Sequence, residues 1–172
     1  LELIVVDDCS TDNTEEFFKK NYTKDLKYVR HDMNLGVQHA SNTGYKYASG
    51  KYVAFIGDDD IWNDKNKLIE QVNIFENDTQ KKYGVVTTDV KVISKDKEYK
   101  KNIKKPKNLV RHILNKNGII YGSAALIRSD IFRQVGMFAK DLPRGTDSDV
   151  FRRIILLGYD VYFIEKDMVD YY

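Results

Sequence analysis

The chain has 172 residues, 42% of them hydrophobic and 31% charged, which suits one soluble globular domain with its own core. A formal net charge of +2 singles out no partner, and one cysteine, Cys9, excludes an intrachain disulfide and fits a reducing compartment. No apolar run reaches the length of a membrane span, and no secretory leader is visible.

In chain order, Leu3 to Val6 is an aliphatic run, read as a buried parallel strand closed by Asp7 and Asp8. The chain opens on this strand and without Met, so a further piece is expected upstream. Cys9 follows two aspartates, which raise a thiol pKa and argue against a nucleophile. Asp12 and Glu15 have capping-box spacing, and a helix is expected to about Lys20. Leu26 to Arg30 reads as a second strand. After an Asn34-Leu35-Gly36 turn, Val37, Ala40, Ser41, Gly44, Tyr45 and Ala48 recur at helical spacing. Small residues stand where that helix would lie close to a sheet, and Gly50 is its expected C-terminal stop. Tyr52 to Ile56 is read as a central strand. A helix is expected from about Lys65 to Phe75, with Leu68, Ile69, Val72 and Phe75 on one face.

Gly84 to Ile93 is strand-like, rich in β-branched residues. Lys95 to Arg111 is strongly basic and reads as a solvated loop; a phosphate or anionic membrane contact is the alternative. Its aromatic content is sparse, and no nucleic-acid partner is expected. Val110 to Leu114 begins a short helix, Ser123 to Arg128 is a strand, and Ser129 caps a helix ending near Gly136. Asp147 to Leu157 places Val150, Phe151, Ile154 and Ile155 at helical spacing before Gly158, and Asp160 to Ile164 is a last strand. Alternating strands and helices predict a single α/β domain, with a mainly parallel central sheet and helices on both faces.

The chemistry centres on Tyr52 to Trp62, YVAFIGDDDIW. A strand that stops at carboxylates lies where open α/β sheets bind ligands. Asp58, Asp59 and Asp60 repel one another unless a cation or hydrogen-bond donors offset their charge. They are read as holding a divalent metal, and through it a phosphorylated substrate; for Asp58 a solvated turn acid is the competing reading. Asp7 is preferred as a bond to the following amides. Trp62 is a sugar-stacking candidate or, more commonly, a core-edge anchor. His31, His39 and His112 lack metal-ligand spacing and read as surface residues. Arg128 and Arg144 are candidate phosphate contacts, whereas Arg152 and Arg153 read as surface salt bridges.

Three separated stretches resemble family 2 glycosyltransferases: VVDDCSTDNT (Val5 to Thr14), the run from Asn34 to Trp62, and Gly122 to Tyr159. The resemblance covers nearly the whole chain in the family's order. It implies the GT-A fold, which is Rossmann-like, and an inverting enzyme that uses a nucleotide-sugar donor, a UDP-sugar first. It implies a divalent metal, Mn²⁺ or Mg²⁺, and a glycan or lipid-linked acceptor in surface polysaccharide synthesis, at the cytoplasmic side with peripheral membrane association as an option. Residue by residue, Asp8 matches the aspartate that binds uracil or ribose. Asp59 matches the metal- and ribose-binding aspartate, Asp58 stands beside it toward the nucleotide, and Asp60 adds to metal coordination. Asp147 matches the general base, with Asp149 as its competitor. Two positions depart from the pattern: Gly57 takes the usual first acid's place, and Thr146 stands for the Glu of the Glu-Asp pair. The family's first strand and helix, and its C-terminal acceptor region, are expected beyond the two ends.

Three rivals remain at this level. A non-catalytic nucleotide- or glycan-binding domain fits Gly57 and Thr146. A phosphoacceptor receiver is imitated by LIVVDD, Asp58 and Lys105-Pro106. A nucleotidyltransferase would want a Gly-rich phosphate loop after the first strand, and none is present.

Overall fold

The computed structural model describes residues 1–21, 23, 25–115, 119–142 and 145–172. Strand β1 (Leu3–Asp7) crosses over through helix α1 (Thr14–Lys20) to pair in parallel with β2 (Leu26–Arg30). Helix α2 (Val37–Tyr47) packs on β1 at Gly44, where an added Cβ would lie 3.4 Å from Val6 Cγ2. The small residues of α2 thus do set its approach to the sheet.

The second sheet is built from β3 (Tyr52–Ala54), β4 (Tyr83–Ser94), β5 (Lys97–Lys101), β6 (Leu126–Arg128) and β7 (Asp160–Tyr171). Helix α3 (Lys67–Asn77) leads into β4, and α4 (Leu109–Asn115) follows β5. A 3₁₀ turn, Gly122–Ala124, introduces β6, and α5 (Ser129–Gln134) and α6 (Thr146–Leu156) follow it. The strand order is β3-β6-β4-β5, with β7 also on β4. β4 serves three partners by sharing one edge: β6 pairs at Val85 and Val86, β5 from Val90 to Ser94, and β7 runs along the strand from Tyr83 to Val92.

Alternation along the strands splits the core. Val53, Val85 and Ile127 pack with Ile131, Phe132, Val150, Phe151, Ile154 and Ile155 from α5 and α6. Their neighbours Val86 and Leu126 pack with Phe75 of α3. Helices therefore cover both faces, as the sequence indicated. Gly84 brings α6 close: an added Cβ would stand 2.7 Å from Ile154 Cγ2 and 2.9 Å from Tyr159 Cβ. That contact fixes the height of α6 above β4, and with it the position of Asp147 in the helix's first turn.

Several expectations need correction. The sheet is mixed rather than mainly parallel: β6 is antiparallel to both β3 and β4, β5 is antiparallel to β4, and only β7 is parallel to it. The basic stretch is not all loop, because Lys97–Lys101 returns as the second arm of a hairpin. β7 runs on to Tyr171 instead of stopping at Ile164, with register shifts at Thr88/Asp89 and Asp89/Lys91 that let its polar middle pass. The capping box of α1 does not form; Asp12 instead accepts from the amide and hydroxyl of Thr14. Gly50 does not close α2 in a left-handed conformation, whereas Gly158 at φ 94° does close α6.

Candidate active site

β3 ends at Ala54, and Phe55 anchors the next segment in the core against Phe132 and Phe138. Ile56 is half-exposed, Asp58 and Asp59 are open to water, and Asp60 is half-buried. Gly57 lets the acids fold over the backbone: an added Cβ there would lie 2.7 Å from Asp59 Oδ1 and 3.5 Å from Asp60 Oδ2. The departure at this position therefore opens a space that two carboxylates flank.

Ser123, in the 3₁₀ turn, ties this corner together. Its Oγ accepts from the Gly57 amide at 3.2 Å and donates to Asp60 Oδ2 at 2.5 Å. The other carboxylate oxygen of Asp60 accepts from the Tyr172 amide at 3.1 Å. Beyond the acids, Ile61 and Asp170 exchange both amide bonds, at 3.0 and 2.8 Å, so the end of β7 clamps the segment that carries the aspartates.

Asp147 bonds the same turn one residue earlier, at Gly122. Gly145, at φ 71°, turns the chain into α6, and the Gly122 amide donates to the Asp147 carboxylate. The carboxylate occupies the space where a Gly122 side chain would begin. Burial, and then the charge of Asp60, raise the Asp147 pKa above the usual carboxylate value against that one amide. The helix N-terminus alone would have held it low; desolvation and the neighbouring acid win. Tyr171 feels the same field: burial raises its hydroxyl pKa, and Asp60, Asp147, Tyr121 and Asp59 add to the effect. Tyr121 packs edge-on to it at 4.7 Å and accepts Lys101 Nζ on its hydroxyl at 2.7 Å.

Asp60 and Asp147 thus meet on one turn, Asp59 flanks Gly57 next to Asp60, and Asp58 stays exposed beside them. Asp8 lies at the end of β1 and is bonded within the protein. Its carboxylate accepts from the Gly36 amide at 2.6 Å, the Leu35 amide at 2.9 Å and His31 Nδ1 at 2.7 Å. Burial opposes its charge, but these donors prevail and its pKa is lowered. Asp7 bonds the Ser10 amide, as expected, and also Tyr28 and Arg30.

Other assignments change. His31 is no surface residue: its side chain is 10% exposed and bridges Asp8 to Thr43 Oγ1. Arg128 is buried opposite Tyr52, at the end of β3 away from the aspartates, and pairs with Asp130. It is not placed for a phosphate. Arg144 lies outside the described residues. Asp149 is held by Arg153 at 2.7 Å. Trp62 is an anchor, donating its indole N–H to the Ser123 carbonyl at 2.8 Å. The receiver reading fails on Lys105, which pairs with Asp160 at 2.6 Å opposite the start of β4. Sequence reasoning missed Ser123, Gly122 and Tyr171. Only the start of the Ser123 to Arg128 strand pointed near them.

A family model described as Glycosyl transferase family 2 matches residues 1–136. An uncharacterized glycosyltransferase of Rickettsia bellii is 30% identical over 170 residues, covering 95% of this chain and 24% of that protein. The Escherichia coli enzyme WfgD, a UDP-Glc:alpha-D-GlcNAc-diphosphoundecaprenol beta-1,3-glucosyltransferase, is 38% identical over 84 residues, 48% of this chain and 33% of its own. The fold matches Staphylococcus aureus TarS in complex with UDP at a TM-score of 0.76, with 19% identity over 98% of this chain and 50% of that one. It matches the Pyrobaculum calidifontis mannosyltransferase PcManGT, in complex with GDP-Man and Mn²⁺, at 0.70, with 23% identity over 96% and 46%. The chain therefore spans a quarter to a half of the proteins it matches.

Proposed function

The chain belongs to glycosyl transferase family 2, and we propose that it supplies the donor-binding and catalytic residues of an inverting glycosyltransferase. The donor is a nucleoside-diphosphate sugar, a UDP-sugar first, and the acceptor is a glycan or a lipid-linked sugar in surface polysaccharide synthesis. WfgD uses a UDP-sugar and a diphosphoundecaprenol-linked acceptor by name, and the TarS structure holds UDP. The observation that carries the reading is that Asp60 and Asp147 bond adjacent residues of one turn, Asp60 through the Ser123 hydroxyl and Asp147 through the Gly122 amide.

The residues do two jobs. Asp147 is the general base: it takes the proton of the acceptor hydroxyl as that oxygen attacks the anomeric carbon and the carbon–oxygen bond to the diphosphate breaks. The raised pKa suits this, since a base works best near the operating pH. With one base and no protein nucleophile, the displacement is single and the configuration inverts. Asp59 and Asp60 hold the metal end. Among the described residues no three Asp, Glu, His or Cys side chains form a metal cage by themselves. The two carboxylates over the open space at Gly57 instead suit Mg²⁺ or Mn²⁺ bound by one or two carboxylates plus substrate phosphates. Bound there, the ion supplies Lewis-acid neutralisation of the leaving diphosphate. PcManGT holds Mn²⁺ beside its GDP-Man. Asp8 serves the nucleotide side by shaping the Asn34–Gly36 turn, and Asp58, open to solvent, is the second candidate there.

No helix among the described residues is long and apolar enough to cross a membrane. A lipid-linked acceptor would be met at the cytoplasmic face by peripheral contact. Calorimetry with UDP and Mn²⁺ tests the reading: binding that needs the metal and is lost in Asp59→Asn supports it, and no binding by the full-length protein overturns it. UDP bound without release of UDP from any UDP-sugar would favour a non-catalytic binding domain.

Gly122→Ala separates site geometry from stability. The new Cβ meets the Asp147 carboxylate and displaces it from the amide that holds it. Donor turnover is expected to fall by about 100-fold, as for an ångström-scale misplacement. A thermal melt of the same variant is expected to stay close to the parent.

A further inference from the structure

Behind the acidic corner stands a lysine that the proposed chemistry does not use. Lys67 opens α3 and is 1% exposed, among the most buried side chains of the chain. Among the described residues no acidic side chain pairs with it. Its Nζ donates to Gln71 Oε1 at 3.1 Å and lies over the Trp62 ring, 4.3 Å from the centroid. Burial pushes its pKa down to about 7, and a cation at a helix N-terminus also opposes the helix dipole. An apolar side chain of similar length would suit this position better for stability alone.

The partners of Lys67 explain what it could do. The indole it covers donates to the Ser123 carbonyl. Gln71, one turn along α3, donates to the carbonyls of Ala124 at 2.8 Å and Val86 at 2.9 Å. The 3₁₀ turn is thus fixed at two successive carbonyls. The same turn holds Asp60 through Ser123 Oγ and Asp147 through the Gly122 amide. We propose that Lys67 is a positioning residue: with Gln71 it locks Trp62 and the Gly122–Ala124 turn, and so sets the separation of Asp60 and Asp147. This rests on the reading of those two acids as metal ligand and base.

The physical need is clear. Two like charges on one short turn push apart, and the Asp60 charge already raises Asp147. A turn fixed only by its own backbone would yield to that force. A cation–π contact, worth more when desolvated, and two buried amide bonds resist it, without placing a cation where it would neutralise the acids directly.

The test compares the full-length parent with Lys67→Met, Ser123→Ala and Ser123→Thr, reading donor hydrolysis, melting temperature and acrylamide quenching of Trp62, the one tryptophan of this chain. Tryptophans elsewhere in the full-length protein are replaced by Phe beforehand. Lys67→Met is expected to melt no lower than the parent, yet to lose about tenfold in kcat with KM within about threefold. Ser123→Ala is expected to match it, and Ser123→Thr, which keeps the hydroxyl, to recover most of the rate. A Lys67→Met protein within about twofold of parental kcat overturns the proposal. Failure of the glycosyltransferase reading looks different: the parent itself neither binds UDP nor turns over. Trp62 quenching then decides, because greater quenching in both Lys67→Met and Ser123→Ala supports the lock and unchanged quenching refutes it.

Discussion

Asp147→Asn is expected to lower turnover by about 10²- to 10⁴-fold, the usual contribution of a general base, while leaving UDP and Mn²⁺ binding near the parental value. The amide side chain has the carboxylate's shape and keeps an oxygen for the Gly122 N–H. It cannot accept the acceptor's proton. The fold should tolerate it well. The Asp147 pKa is raised in the folded chain by burial and by Asp60, so at neutral pH its charge costs stability, and the stabilising range lies below its unfolded pKa. Removing the charge should leave the melting temperature unchanged or higher. Lost turnover with an unchanged or raised melting point is a combination that damage to the core would not produce. In the parent, activity should fall with acid as pH drops through the Asp147 pKa, which burial and Asp60 raise above that of an ordinary aspartate. Residual turnover within about tenfold of the parent would instead remove Asp147 from the base role.

What could be seen in the residues, and what could not, divides by range of interaction. β1 as a parallel strand, the acids after β3, the buried face of α6 and the glycine stop at Gly158 were legible, because each depends on a period or a turn residue within one segment; the burial expected of β1 was not, since Leu3 is exposed and only Asp7 of the strand is buried. The mixed sheet was not. A regular alternation of strands and helices suggested crossovers, but β6 enters between β3 and β4 with reversed direction, a choice made by packing far along the chain. β7 was cut short at Ile164 because Glu165, Lys166 and Asp167 break its apolar pattern. Register shifts against β4 carry the strand past them. The same limit applied at the candidate site. Asp59, Asp60 and Asp147 could be chosen by motif, but the turn that joins two of them is made of a glycine, a serine and an alanine with no chemical signal of their own. His31 was misplaced for a related reason: its two partners, Asp8 and Thr43, come from β1's end and α2, and only the fold brings them to one ring. Lys67 carries no mark in the sequence, since nothing local reveals that its ammonium will be enclosed.

Asp7→Ala should lower stability by about 3 kcal/mol, as expected when one partner of a buried ion pair is removed. The Asp7 side chain is fully buried, while the Arg30 that pairs with it at 2.6 Å is partly open to water, which keeps the figure at the low end of such losses. Tyr28 donates to the same carboxylate at 2.5 Å and the Ser10 amide at 2.7 Å, so the substitution strands three donors at once. Burial raises the Tyr28 hydroxyl pKa to about 12, with Asp7 adding to the effect, and an unpaired hydroxyl there is costly. For a chain of this size the melting temperature should drop by roughly 6–12 °C. The acid side gives the sign. Burial works against the Asp7 charge, but Ser10, Tyr28 and Arg30 outweigh it and hold its pKa well below the usual range. Its stabilisation is therefore complete above the unfolded carboxylate pKa and fades only as pH falls below it. Parent and variant melts should differ by the same amount from pH 7 to 5 and draw together below about pH 4. Because Asp7 and Arg30 are register partners at the ends of β1 and β2, and Asp8 follows directly, the loss should spread to the Asn34–Gly36 turn. Amide exchange should then rise at Leu35 and Gly36 before it rises in β4. A variant whose exchange rose in β4 and at Gly36 together would show that the two sheets unfold as one unit.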